Sequence, residues 1–168
     1  MKTKFLCCFL FTAAFIFSIS ISASAQEMSS TGRNVAEMKL TTIPGLPTCA
    51  TGSVQSGNPT NAASIIFAKI PTGCTVPWHW HTPNEHVMIV SGIARLDMKD
   101  AKSLTLSSGG FAMMQGHHVH QFTCQQSCSI YIYSDVAFDL HYVNSQGNEI
   151  SPDEALKAVG EKVATQMN

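Results

Sequence analysis

Short runs with the hydrophobic and polar pattern of β-strands occupy the middle of the chain. Eight of these runs are rich in β-branched and aromatic residues and are separated by Gly, Pro, Asn or Ser. They predict strands over residues 63–70, 85–91, 93–98, 103–106, 111–114, 118–123, 128–134 and 137–143. Many short strands in one domain favour an all-β antiparallel sandwich or barrel.

The two flanking segments have other patterns. Residues 26–62 are rich in Ser, Thr, Gly, Pro and Asn, so we expect an irregular lead-in with little helix. Residues 151–154 read Ser-Pro-Asp-Glu, which is typical of a helix start, and apolar residues follow at helical spacing, at Leu156, Val159 and Val163. The sequence therefore predicts a barrel over residues 63–150 and one amphipathic helix over residues 151–168.

The first 25 residues have the pattern of an export signal. Two lysines precede an uncharged apolar run over residues 5–21, and Ala-Ser-Ala at positions 23–25 provides the small residues that a signal peptidase accepts. We expect cleavage between Ala25 and Gln26 and a secreted or periplasmic product. The alternative is an uncleaved membrane anchor, for which the apolar run is short.

Composition and charge narrow the possible partners. The chain has 168 residues, of which 45% are hydrophobic and 12% charged, which indicates one folded domain rather than a disordered chain. Ten basic residues stand against eleven acidic ones, and no basic run is present, which disfavours nucleic acid as a partner. Cleavage removes Lys2 and Lys4 and leaves eight against eleven, a net charge of −3, so we expect no stable membrane association afterwards.

Cysteine usage agrees with an oxidising compartment, because four cysteines remain after the predicted cleavage. Cys124 and Cys128 flank three residues, a length suited to a hairpin loop that sets their side chains opposite each other. We therefore predict a disulfide between Cys124 and Cys128 and, by elimination, a second between Cys49 and Cys74. The alternative is four buried free thiols.

Three histidines and one glutamate supply the candidate chemistry. Residues two apart in an extended strand point to the same face, so His79 and His81 project together. The turn signal Pro-Asn at positions 83–84 lets the chain reverse, which brings Glu85 on the next strand to the same place. His120 lies in a later β-like run and can supply a fourth ligand to a metal ion.

The spacing of these residues resembles that of a known family, the cupins. Every fixed position of the first cupin motif is matched, at Gly73, His79, His81, Glu85 and Gly92. The second motif is matched at Gly109 and at His120, its metal-binding histidine. It departs from the motif at Gln115, His117 and Cys124, where the family has Pro, Gly and Asn.

The resemblance implies a cupin jelly-roll β-barrel of two antiparallel sheets with a metal at its centre. The implied metal ligands are His79, His81, Glu85 and His120. Imidazole and carboxylate ligands together suit a divalent transition metal, Mn, Fe, Co, Ni, Cu or Zn, and are poor for calcium. The alternative is a degenerate barrel in which these polar residues hold no metal.

Other polar side chains have weaker assignments. His118 shares the predicted strand face of His120, so we expect it either to act as a proton acceptor in the cavity or to lie at its rim. Tyr131 and Tyr133 either pack against the barrel or bring one hydroxyl into the cavity. Asp139 and His141 lie opposite an apolar strand face, which indicates a solvated pair.

Two tryptophans lead to a prediction about assembly. If His79 and His81 point into the barrel, Trp78 and Trp80 lie on its outer face, where two exposed indoles are costly. The lead-in over residues 27–61 or a second subunit must then cover them. We therefore predict a homodimer.

Three kinds of function fit these features. The leading hypothesis is a secreted, metal-dependent oxidoreductase of the dioxygenase type that acts on a small molecule. The first alternative is a non-catalytic module that binds or senses a small ligand or the metal itself. The second is a structural role, in which the metal and the disulfides stabilise a small secreted fold.

Overall fold

A computed structural model describes residues 30–160 of the chain. The predicted signal peptide, its cleavage site and residues 161–168 of the predicted C-terminal helix lie outside the described residues. Between residues 30 and 160, no helix has the length and apolar character needed to cross a membrane.

The described residues form nine strands, with one 3-10 helix near the start and one α-helix near the end. The 3-10 helix is Val35–Glu37 and the α-helix, α1, is Pro152–Ala158. The strands are β1 Thr41–Thr42, β2 Thr51–Gly57, β3 Ser64–Ile70, β4 Thr75–Trp80, β5 Glu85–Met98, β6 Leu104–Ser107, β7 Phe111–Met114, β8 His120–Ser134 and β9 His141–Tyr142.

All strand pairs are antiparallel, and β8 is the central strand. One edge of β8 pairs with β5, and its other edge pairs first with β4 and then with β3. Strands β1 and β2 continue from β3, β9 pairs with β4, and β6 and β7 pair with β5. These strands curl into a barrel with an apolar interior, which confirms the predicted all-β fold class.

Both long strands were expected to be pairs of shorter ones. The predicted strands 85–91 and 93–98 leave a turn at Gly92, and the cysteine spacing predicts a hairpin loop between Cys124 and Cys128. Both predictions are wrong, because β5 and β8 run through these positions. The Cα atoms of Cys124 and Cys128 lie only 5.9 Å apart, whereas four residues of straight strand span about 13 Å. Strand β8 therefore bulges here, and the register with β5 shifts between Ile89 and Ala94.

Gly92 is required where the two bulged strands meet. Its φ of +87° is in the left-handed region that favours glycine. A Cβ atom at this position would lie 2.2 Å from the carbonyl oxygen of Ser127 and 2.4 Å from that of Gln126. Strand β5 can therefore approach the bulge of β8 only because residue 92 has no side chain.

The lead-in predicted as irregular over residues 26–62 contains strands. Strand β2 pairs with β3 along its length, and β1 pairs with β2. The sequence of β2 has one large apolar residue, Val54, among Ser, Thr, Gln and Gly, so the alternation that identifies a strand is absent. It is a strand because the exposed edge of β3 provides backbone hydrogen-bond partners.

Among residues 30–160, two disulfides join the cysteines in the predicted pairs, Cys49 with Cys74 and Cys124 with Cys128. The Cys49–Cys74 disulfide joins the segment between β1 and β2 to the start of β4. A second contact holds the same segment, because the buried Tyr142 hydroxyl donates a hydrogen bond of 2.9 Å to the carbonyl oxygen of Gly45. Burial raises the pKa of Tyr142, so the phenol stays protonated as a donor.

The start of α1 agrees with the sequence prediction. The Ser151 hydroxyl accepts a hydrogen bond from the backbone N–H of Glu154 at 3.2 Å, and Pro152 occupies the first helical position. Ala155 and Leu156 are buried in the barrel core. The helix therefore packs against the barrel, where it contacts β4.

Residues from the later part of the chain cover Trp80. The His141 ring stacks on the indole with centroids 3.9 Å apart, and the His117 ring lies 4.5 Å from it. Trp78 and Trp80 are each half-buried. The covering predicted for Trp80 from residues 27–61 or from a second subunit is thus supplied by two histidines of the same chain. The homodimer stays a prediction, and Trp80 no longer argues for it.

Replacing Gly92 tests the close approach of the two bulged strands. Gly109 has a similar φ, +83°, but open space where its Cβ would be, so it is a matched control. We expect Gly109→Ala to lower the free energy of unfolding by about 1 kcal/mol through backbone conformation alone, and Gly92→Ala by at least about 3 kcal/mol. Urea unfolding of the two variants measures both values. Equal losses would contradict the steric role of Gly92.

Removing the disulfides one at a time tests their contributions. The Cys49–Cys74 bond closes a longer stretch of chain than Cys124–Cys128, with sequence separations of 25 and 4. In the chain-entropy picture, we expect the Cys49→Ala, Cys74→Ala variant to lose about 3 kcal/mol of unfolding free energy and the Cys124→Ala, Cys128→Ala variant about 2 kcal/mol. Denaturant titration under oxidising conditions measures the difference, and a larger loss for the second pair would contradict this ranking.

Candidate metal centre

Three histidines and a glutamate meet inside the barrel. His79 is in β4, His81 directly follows it, Glu85 opens β5 and His120 opens β8. All four side chains are buried, and one ligand-type atom from each lies within 4.8 Å of the others. The structure thus brings together the four residues that the sequence singles out as metal ligands.

Backbone carbonyl groups orient the three imidazole rings. The Nδ1 atom of His79 is 2.6 Å from the carbonyl oxygen of Pro77, and that of His120 is 2.9 Å from the carbonyl oxygen of His118. Nδ1 of His81 contacts the carbonyl oxygen of Asp139 in the same way. A carbonyl only accepts, so each Nδ1 carries the proton, and the lone pair of a neutral ring lies on Nε2.

The Nε2 atoms face the Glu85 carboxylate. Oε2 of Glu85 is 3.2 Å from Nε2 of His120 and 3.5 Å from Nε2 of His81. Burial works against charge on Glu85, but His81 and His120 outweigh it and hold the pKa of the carboxyl well below its usual range. Burial likewise opposes a proton on His81, yet Glu85 raises the pKa of His81 overall. Glu85 is therefore an anionic ligand.

His79 differs from His81 in its electrostatic surroundings. Burial lowers the pKa of His79 well below its usual value, and the neighbouring rings of His120 and His81 lower it further. His79 therefore stays neutral and keeps the Nε2 lone pair that a metal ion requires.

The donor set fits a divalent transition metal. Nε2 of His81 is buried, and its 3.5 Å contact with Oε2 of Glu85 lacks the geometry of a hydrogen bond, so its lone pair is poorly satisfied and a bound cation would relieve this. Two ligands at about 2.1 Å from one ion lie at most about 4.2 Å apart, so the four atoms need only small shifts to share an ion. Three neutral imidazoles and one carboxylate suit the transition metals from Mn to Zn.

An apolar cavity of about 250 Å³ adjoins three of the four residues. His79, His81 and Glu85 line one part of it, and aliphatic or aromatic side chains from β2, β3, β5 and β8 line most of the rest. The segment between β1 and β2, which the disulfide and Tyr142 hold in place, contributes Ile43 and Leu46. Apart from the ligand group, the polar residues of the lining are Thr60 and Asp139.

Comparison with protein-family models gives no match, and comparison with curated proteins gives none either. Solved structures do match. The polyketide cyclase RemF from Streptomyces resistomycificus is 14% identical with a TM-score of 0.60, over 69% of this chain and 87% of its own. A putative acetylacetone dioxygenase from Methylibium petroleiphilum is 13% identical with a TM-score of 0.59. The match covers 74% of this chain and 88% of the dioxygenase.

A third match carries the family name. An RmlC-like cupin from Shewanella frigidimarina is 16% identical with a TM-score of 0.52, over 64% of this chain and 92% of its own. The chain has the cupin fold. The jelly roll implied by the motif resemblance is therefore confirmed, and its cupin neighbours include enzymes of different chemistry.

One departure from the cupin motif keeps the backbone geometry of a glycine. His117 stands where the second motif has Gly, and among the described residues it alone combines a side chain with a positive φ, +63°. That conformation costs roughly 1–2 kcal/mol for a residue with a Cβ atom. Its N–H donates a 2.8 Å hydrogen bond to the carbonyl oxygen of His81, and its ring contacts Trp80, which offsets part of the cost.

The structure revises the placement of His118. Because β8 begins at His120, His118 precedes the strand and does not share a strand face with it. Its side chain is not among the described residues that line the cavity, whereas its carbonyl oxygen accepts from Nδ1 of His120. The catalytic role assigned to His118 stays a prediction.

Sequence reasoning missed two residues that position His81. The carbonyl oxygen of Asp139 accepts from its Nδ1, and the Phe138 ring stacks on it with centroids 4.3 Å apart. The Asp139 carboxylate accepts from the N–H of Thr82 at 2.7 Å and lies 3.3 Å from Nε2 of His141, so the predicted Asp139–His141 pair is present. A backbone acceptor leaves no side-chain signal in a sequence.

Tyr131 and Tyr133 are on the outer face of the barrel. Tyr131 and Tyr133 lie beside His86 and Phe111 on an outer apolar surface, while Ile130 and Ile132 line the cavity. Of the two arrangements considered from the sequence, packing against the barrel is therefore the one observed.

Nitrogen chemical shifts test the orientation of the three rings. In the zinc-loaded protein, we expect Nδ1–H and metal-bound Nε2 for His79, His81 and His120, since each Nδ1 faces a carbonyl oxygen. Histidine-selective 15N NMR distinguishes the two nitrogens, and the exposed His117 is the control, with no metal-dependent shift. An Nδ1-bound metal at any of the three rings would contradict the assignment.

Proposed function

We propose that the protein is a secreted or periplasmic, metal-dependent enzyme of the oxidoreductase class that acts on a small molecule with dioxygen as oxidant. One observation carries the proposal: three buried imidazoles, each with Nδ1 held by a backbone carbonyl oxygen, converge with one carboxylate beside an apolar cavity. The two disulfides fit an extracellular or periplasmic location.

The residues of the chain have separable tasks in this proposal. His79, His81, Glu85 and His120 would hold the metal, which when bound supplies a Lewis acid and, for iron, manganese or copper, one-electron chemistry. The carbonyl groups of Pro77, His118 and Asp139 fix the three rings, because each accepts a hydrogen bond from an Nδ1 atom and leaves Nε2 free for the metal. The apolar wall keeps water away from the reacting group.

A non-catalytic binding module is the second candidate, and the cavity lining supports it. Among the described lining residues outside the ligand group, Asp139 is the single ionisable side chain, and its carboxylate already contacts Thr82 and His141. Any chemistry in the cavity would thus depend on the metal, and without it the cavity would only bind.

Elemental analysis of the protein purified from the exported fraction, without a metal-affinity tag, tests the proposal. We expect one iron, manganese or copper ion per chain, and we expect Glu85→Ala and His120→Ala to weaken metal binding roughly tenfold or more. The matched control is His118→Ala, which keeps the backbone carbonyl that orients His120 and should retain full metal content.

Oxygen uptake then separates the two candidates. Substrate-dependent oxygen consumption that follows metal content supports the enzyme, and a loss of turnover in His118→Ala with metal retained would support the catalytic role of that residue. Zinc in place of a redox-active metal, or a metal content unaffected by both ligand variants, would contradict the proposal.

A further inference from the structure

The cavity beside the ligand group has a strongly one-sided polarity. Its ionisable lining residues are the ligands His79, His81 and Glu85 at one part of the wall, together with Asp139. No lysine or arginine is among the described residues that line it. A second charged or strongly polar group on a ligand would therefore be desolvated without a partner, which is unfavourable.

The remaining wall is built to contact hydrocarbon. Ile66 and Ala68 of β3, Ile130 and Ile132 of β8 and Val54 of β2 all line the cavity. An apolar cavity of roughly 150 Å³ is large enough to bind benzene. At about 250 Å³, this cavity suits a substituted ring or a short alkyl chain.

The wall is held in place before any ligand arrives. The Cys49–Cys74 disulfide and the Tyr142–Gly45 hydrogen bond fix the segment that contributes Ile43 and Leu46. Across the cavity, the N–H of Phe138 donates a 2.7 Å hydrogen bond to the carbonyl oxygen of Pro59, next to the exposed lining residue Thr60. A preformed wall lowers the ordering cost of binding.

We propose that the cavity binds an amphiphilic small molecule, with a single polar group toward His79, His81 and Glu85 and an otherwise apolar body against β2, β3 and β8. This substrate class rests on the proposed function, because it assigns the polar group to the metal end. Sugars, dicarboxylates and phosphorylated metabolites, which carry several polar groups, do not fit such a wall.

A series of linear alcohols tests the proposal without any turnover. Calorimetric titration of the exported protein with butan-1-ol to octan-1-ol should show affinity rising about fourfold per methylene until the cavity is filled. 1,6-Hexanediol places a second hydroxyl against the apolar wall, so we expect it to bind at least about fivefold more weakly than hexan-1-ol. Equal affinities for these two alcohols, or no dependence on chain length, would overturn the proposal.

Substitutions that fill the cavity test where the alcohol binds, and an exposed position next to one of them provides the control. Ala68 and Lys69 are adjacent in β3, but Ala68 lines the cavity and Lys69 is exposed. We expect Ala68→Leu to weaken hexan-1-ol binding at least tenfold and Lys69→Leu to leave it unchanged. Because Ala68 is fully buried, Val54→Phe at the half-buried β2 position is the second filling variant. If circular dichroism shows that either variant is folded, and that variant binds hexan-1-ol as tightly as the wild type does, the assigned site is contradicted.

The same titrations separate this proposal from the proposed function. If the protein holds one metal ion but its alcohol affinity does not depend on chain length, the proposed ligand class is wrong and the proposed metal-dependent enzyme is unaffected. A trend retained by a protein that binds no metal would support the apolar site and overturn the enzyme in favour of a binding module.

Discussion

The whole site depends on the curvature of the β5–β8 pair. His120 is paired with Met98 at the end of β5, while Glu85 stands at its beginning. A straight strand from residue 85 to residue 98 would separate its ends by about 43 Å. Instead, Nε2 of His120 lies 3.2 Å from Oε2 of Glu85, because the barrel closes and brings the two ends of the pair together. The bulge at residues 124–128 and the approach of Gly92 lie in the middle of this curved pair.

The ligand residues could be predicted from the sequence because their signals are local. His79 and His81 follow the two-residue period of a strand, and a turn signal separates them from Glu85. The cysteine pairs were likewise accessible, although the reason given for Cys124 and Cys128 was a hairpin and the structure has a bulge within one strand. A hairpin and a bulge both shorten the distance between two cysteines, so the spacing alone does not distinguish them.

The remaining features depend on parts of the chain that are distant in sequence. Strand β2 carries almost no apolar alternation and forms because the edge of β3 is available to it. The carbonyl oxygen of Asp139 orients His81. Every residue has a backbone carbonyl group, so the residue type at position 139 does not indicate this contact. The bend at Gly92 looks like a turn in sequence because both a turn and a bulge favour a residue with positive φ.

The wall segment between β1 and β2 also bears on how such a protein diversifies. Ile43 and Leu46 line the cavity, yet they belong to a stretch of chain that contributes no residue to the histidine and glutamate cluster. Substitutions in that stretch can alter the shape of the cavity while leaving the histidine and glutamate cluster intact. The choice of ligand and the geometry of the cluster therefore depend on different segments of the chain. A point mutation can change the first without changing the second.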